Sequence, residues 1–197
     1  MRSSMTLWHN MMRWNLSVEE TTVNEQTTSV AARGEIRVVG PGDAKEFWQP
    51  VPANGHIAIH MAPSLVPMDV PLGLGTQTVA PGCYVREHAH DRHEEVIHCL
   101  HGGGRAVLDG VEHRLLPGMT IFIGKNRRHM FINDGQNDLQ LLWVMTPNGL
   151  EDFFAAIGRP KQPGQPAPEP FPRPADVLEI ERRTVFAPAL PDGGSKP

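Results

Sequence analysis

Half of the chain's histidines crowd into fourteen residues. Of ten in a chain of 197, His88, His90, His93, His98 and His101 fall in that span, with Glu94 and Glu95 among them. His129 follows alone after a hairpin-like interval. Neutral imidazoles and a carboxylate converging on one point suit a divalent first-row metal. The alternative for such a run is a His-rich surface loop, and the spacing decides between the two.

The surrounding pattern is that of strands. His88 and His90 are two apart, so on a strand they share a face. Glu95 opens a β-prone run to His101, closed by Gly102-Gly103-Gly104, and His129 begins another run to Asn133. Three separate strands thereby offer inward ligands to one centre. By strand alternation His98 faces away from Glu95. His101 shares its face but lies roughly 20 Å further along at strand rise. His93, between ligands, is expected to face solvent or to support a ligand from behind. His113 is expected in a hairpin arm, solvated.

The spacing goes further. Gly82, five residues, His88-x-His90, four residues, Glu95, six residues and Gly102 resemble the first motif of the cupin superfamily in full. Gly118, His129 and Asn133 are similar to the second, with Gly124 where that motif has Pro and Asn126 where it has Gly. Both departures fall in a turn, where Gly and Asn supply unusual backbone angles. The resemblance is strong over 74–146. It implies an all-β fold, the cupin double-stranded β-helix or jelly-roll-like barrel. It also implies one mononuclear divalent metal per chain, held by His88, His90, Glu95 and His129. Iron is the first expectation; manganese, nickel, copper, cobalt and zinc are alternatives. Thr146-Pro147-Asn148-Gly149-Leu150-Glu151-Asp152-Phe153-Phe154 is similar to the segment after the barrel in quercetin dioxygenase-like cupins.

The flanks read less sharply. Residues 1–34 form an N-terminal extension, expected to be poorly ordered in part, with a short helix starting near Ser17. Residues 35–158 form the barrel domain, with an edge strand over Glu35–Val39. Phe47-Trp48 is expected to pack on the barrel. His56 and His60 alternate with Ile57 and Ile59, so they are placed on the wetter face of an outer strand. Short runs then recur at even turn spacing, with Asp109-Gly110 as a two-residue hairpin signal. Asn148 is expected to cap a helix to Ile157 that Gly158 stops. Residues 159–197 form a Pro-rich extension: seven of the fifteen residues from Pro160 to Pro174 are proline. A last short helix is expected over Ala175–Thr184.

Composition excludes several functions. A net charge of −4 without a basic cluster argues against nucleic acid. No run has the length and apolarity of a membrane span or signal core, so a cytoplasmic protein is expected, with no membrane partner. Cys83 and Cys99 make no disulfide framework. Arg127-Arg128 lies beside His129 and is read as a pair that faces an acidic substrate.

Alternation also suggests a pocket. Phe131 and Asn133 share His129's face; Leu141, Trp143 and Met145 share one face of the last long strand, and Leu142 and Val144 the other, so that strand is expected to be buried on both sides. Phe131, Asn133, Leu141 and Trp143 are therefore candidate lining residues, with core packing an equal alternative for Leu141 and Trp143, around a small oxygen-bearing substrate of aromatic or diketone-like kind. Four protein ligands leave positions open on an octahedral ion, and Glu95 is a candidate base. The resemblance implies a metal-dependent dioxygenase, with dioxygen as co-substrate. The same ligands serve a non-redox isomerase or lyase, or a binding cupin without turnover. The segments before Gly55 and after Pro160 are read as material for reaching a second copy, hence a homodimer.

Overall fold

The computed structural model describes residues 33–188, and the unit beginning at Gly34 holds every element named below. The short helix expected near Ser17 lies outside the described residues. In chain order the strands are β1 (Lys45–Trp48), β2 (His56–Met61), β3 (Gly73–Val79), β4 (Tyr84–His88), β5 (Glu94–His101) and β6 (Gly104–Leu108). Then come β7 (Val111–Leu115), β8 (Thr120–Ile123), β9 (His129–Ile132), β10 (Leu139–Thr146), helix α1 (Leu150–Ile157), β11 (Arg159–Pro160) and helix α2 (Val177–Arg183). No helix among the described residues is long and apolar enough to cross a membrane.

The strands form two antiparallel sheets. One runs β11-β1-β2-β3-β10-β5-β8 and the other β4-β9-β6-β7. Their inner faces enclose a core of Ile57, Ile59, Val79, Ile97, Cys99, Ala106, Leu115, Ile123, Phe131, Leu139, Leu141 and Trp143. This is an all-β, jelly-roll-like barrel of two facing antiparallel sheets. Turn chemistry sets much of the register. Asp109 and Gly110 both take positive φ, 47° and 82°, which matches the twist of the β6–β7 hairpin they join. Asn126 takes φ 60°, so it does in the β8–β9 turn what Gly commonly does.

Three expectations fail in the fold. The edge strand over Glu35–Val39 is not formed: these residues are irregular, and Ile36 and Val38 are 91% and 83% exposed. Gly40 to Asp43 form a turn, and the strand register begins only at Lys45, where Phe47 and Trp48 have a sheet to bury against. The β10 strand is not buried on both sides. Leu139, Leu141, Trp143 and Met145 are buried, while Leu142 and Val144 are only half-buried, because they lie on the outer face of the sheet. Asn148 does not cap α1: Gly149 holds the cap position at φ 141°, and the Asn148 amide instead donates to Glu151 at 2.6 Å.

The Pro-rich extension is a wrapping segment. Its β11 pairs with β1, Val51 donates to the Phe171 carbonyl at 2.9 Å, and Phe171, Ile180, Val185 and Phe186 are buried. Proline suits this path, since an extended chain lying over a barrel makes few ladder bonds for a missing N–H to break. The described part of the extension is thus used within its own chain.

Candidate metal centre

The four expected ligands meet. One ligand atom from each of His88, His90, Glu95 and His129 lies within 4.8 Å of all the others. His88 ends β4 and stands opposite His129, which begins β9. Glu95 comes from β5 in the other sheet. The cluster therefore ties the two sheets together at one end of the barrel. His90 is not on a strand, since β4 stops at His88; it sits in the loop before β5, held where its carbonyl accepts from Asn126 N at 2.7 Å.

Each histidine is aimed by its other nitrogen. Nδ1 of His88 donates to the Arg86 carbonyl at 2.8 Å, Nδ1 of His90 to the Val185 carbonyl at 2.8 Å, and Nδ1 of His129 to the Arg127 carbonyl at 3.0 Å. A carbonyl only accepts, so the proton of each neutral ring sits on Nδ1, and each Nε2 presents a lone pair. Nε2 of His90 and of His129 lie 3.5 and 3.3 Å from Oε2 of Glu95. All three atoms are buried without a hydrogen-bond partner.

Lone pairs that face one another out of water repel unless a proton or a cation stands between them. Two ligands at right angles on one ion with bonds near ~2.1 Å lie roughly 3 Å apart, close to the distances seen. The residues present therefore fit a divalent ion. The electrostatics agree. Burial drives the His88 imidazole well below its ordinary value, and the neighbouring His129 and His90 rings add to this. For Glu95 burial acts upward, but His129 and His90, which hydrogen-bond the carboxylate when a proton rather than a metal sits on Nε2, outweigh it and hold the carboxyl at about 2. Neutral imidazole and ionised carboxylate are the forms a metal takes.

Among the described residues the remaining histidines stay out of the cluster. His93 does not face solvent. It is buried behind His90, ring centroids 6.4 Å apart, with Nδ1 lacking a partner. His98 bonds Thr120 Oγ1 at 2.8 Å on the outer face, His101 is exposed, and His56 packs edge-on to Trp48.

A cavity opens from the cluster. Its volume is ≈ 70 Å³, where one water needs roughly 10–15 Å³ on the same scale, so it admits a small organic molecule. His88 and Glu95 stand in its wall with Phe131, Phe153, Phe154 and Phe186. Of the expected lining residues only Phe131 is there. Leu141 and Trp143 belong to the core: a Cβ at Gly75, Trp143's partner in the register, would come within 2.5 Å of the indole, so the missing side chain makes room for it. Asn133 is a clamp, its amide donating to the Val79 and Asn137 carbonyls at 2.8 and 2.9 Å and its oxygen accepting from Gly135 N.

Nor do Arg127 and Arg128 face the cavity. Arg127 pairs with Asp109 at 2.6 Å and Arg128 with Glu87. The cavity's arginines are Arg86 and Arg173. Arg86 was legible, being two residues before His88 on one strand. Arg173, Val185 and Phe186 lie in the wrapping segment, which carries no local sign of the barrel face it covers.

The fold and the cluster together define an all-β barrel with a His/His/Glu/His group able to hold a metal ion. Residues 75–145 match the family model described as a cupin domain. Protein SchB of Streptomyces halstedii is 34% identical over 74 residues, which are 38% of this chain and 54% of that protein. The chain thus matches about half the length of that curated relative. Among solved structures, one described as a predicted oxalate decarboxylase from Thermotoga maritima is 19% identical, covering 56% of this chain and 99% of that one, with a TM-score of 0.49. A sugar phosphate isomerase from a cupin superfamily of Silicibacter pomeroyi is 18% identical, covering 56% and 75%, with a TM-score of 0.48. At these values neither says anything about the chemistry of this chain.

Proposed function

We propose that this cupin is a metal-dependent dioxygenase acting on a small oxygen-bearing substrate, aromatic or diketone-like. The observation that carries the reading is the three partnerless buried ligand atoms beside a cavity walled by four phenylalanines. The ion would be held by Nε2 of His88, His90 and His129 and by Glu95. When bound, it supplies a Lewis acid with replaceable positions, and, if it is iron, manganese, nickel, copper or cobalt, a route for electrons to dioxygen.

The chain's own residues do the rest. Phe131, Phe153, Phe154 and Phe186 exclude water and favour a flat, apolar body. The Arg86, Val185 and Arg127 carbonyls keep each imidazole in its donor tautomer. Glu95 borders the cavity, where its carboxylate is placed to take a proton from a substrate hydroxyl.

The test is oxygen uptake by metal-loaded protein against diketones, hydroxyacetophenones and flavonols, under air and under argon. Uptake that needs both metal and substrate supports the reading. Turnover under argon assigns the chain to the non-redox isomerase or lyase class. Binding without turnover makes it a small-molecule-binding cupin. A homodimer remains part of the proposal, now on a different ground: Leu100, Leu116, Met119 and Phe122 are exposed apolar side chains along β5, β8 and the turn before it. A monomeric mass at micromolar concentration in light scattering would remove it.

A further inference from the structure

The cavity wall is apolar over most of its extent, yet two arginines stand in it. Arg86 comes from β4 and Arg173 from the stretch before α2, and both line the same cavity as His88 and Glu95. Their guanidiniums donate to one and the same oxygen, Oε1 of Glu181 on α2. Arg86 also reaches the Glu87 carbonyl at 3.4 Å and lies 5.4 Å from the centre of the Phe186 ring. The two arginine side chains are 33% and 23% exposed, and that of Glu181 only 11%.

The charges do not balance. Two guanidiniums against one carboxylate leave one positive charge in a largely desolvated place. Holding α2 to β4 needs a single arginine–glutamate bridge; the second arginine adds a like charge. Its cost is visible, since burial and then the neighbouring Arg86 push the Arg173 guanidinium down to about 10. An anion would relieve it, and the planar fork of arginine matches a carboxylate well.

We propose that Arg86 and Arg173 receive the carboxylate of a small hydroxy- or oxo-carboxylic acid, whose oxygen-bearing end points to His88 and Glu95. This rests on the metal-centre reading for the second end of the substrate, not for the first. The substrate class narrows accordingly: a monoanion of about the size of a substituted benzoate, held by charge at one end and by phenylalanine faces along its body.

The test compares 4-hydroxybenzoate with its neutral twin 4-hydroxybenzamide by calorimetric titration. The protein is full-length, zinc-loaded to prevent turnover, and in parallel metal-free. Wild-type protein is expected to favour the carboxylate by about 10- to 100-fold, the range for a charge-assisted contact. Arg173→Gln is expected to remove that preference while changing amide binding by less than about threefold. Arg173→Lys, which keeps the charge and a bridge to Glu181, is expected to retain part of it. Equal affinity of wild-type protein for the two probes overturns the proposal whether or not the variants fold. So does an Arg173→Gln protein that keeps the preference, or one that loses both probes alike. The metal-free arm separates the two readings. Carboxylate preference in a protein that takes up no metal leaves the anion site standing and sinks the oxygenase. Metal uptake with no preference does the reverse.

Discussion

Nδ1 of His90 donates to the main-chain carbonyl of Val185 at 2.8 Å, across 95 positions of sequence. Ala187 N then donates to the Ala89 carbonyl at 2.8 Å, so the end of the wrapping segment is stitched to the loop that carries His90. Phe186, between them, stacks near His88 and His90 at 5.2 and 5.4 Å. The segment after the barrel thereby fixes the tautomer of one ligand and closes the site beside it.

A chain ending at Arg183 should therefore bind metal about 10- to 100-fold more weakly, the usual effect of losing a hydrogen bond behind a ligand. Competition with a fluorescent chelator reads this directly, with circular dichroism reporting the barrel. Undiminished affinity in the shortened chain would show that the Val185 carbonyl does not orient His90.

Alanine at His88, His90 or His129 should empty the site, and Glu95→Gln should weaken it by removing the one negative ligand. His93→Ala should leave most of the metal in place, because His93 lies behind His90 and outside the cluster. Elemental analysis of protein purified without added metal separates the cases. A His93→Ala protein as empty as His129→Ala would mean that the loop histidine is a true ligand.

The metal-free protein should lose stability as pH falls below about 6.5. His88 is depressed in the folded state relative to its ordinary 6.5, so the unfolded chain takes up the proton first and is favoured as pH drops. Glu95 acts in the same direction but lower down. Its folded value of about 2 against an ordinary 4.5 contributes stability that is full above 4.5 and lost below it. Between 4.5 and 6.5 the His88 contribution therefore stands apart from that of Glu95. Melting midpoints of wild type and His88→Gln from pH 7.5 to 5 test this; parallel curves would contradict it.

Gly75→Ala should destabilise the barrel by roughly 1–3 kcal/mol, the range for overpacking a filled core. Its Cβ would stand 2.4 Å from the Ala58 carbonyl oxygen and 2.5 Å from the Trp143 indole. Chemical denaturation gives the number. An unchanged midpoint would mean that Trp143 has an alternative seat, which its 1% exposure argues against.

The sequence by itself determined the barrel and which four side chains, His88, His90, Glu95 and His129, would cluster. Ligand spacing, strand alternation and turn residues such as Asp109-Gly110 act over a few positions, and a period of two reads directly as a face. That was enough to place His88, Glu95 and His129 inward and His98 outward. Alternation could not tell lining from core, because both point inward: Phe131 reaches the cavity, whereas Trp143 fills the space that Gly75 leaves on the next strand. The tertiary structure alone decided what surrounds the metal centre. The Val185 carbonyl behind His90, Phe186 over the rings and the pairing of Arg86 with Arg173 through Glu181 all depend on where a proline-rich segment comes to rest. Such a segment has no periodic face of its own. Its path is set by the surface it buries against, and that surface exists only once the two sheets have closed.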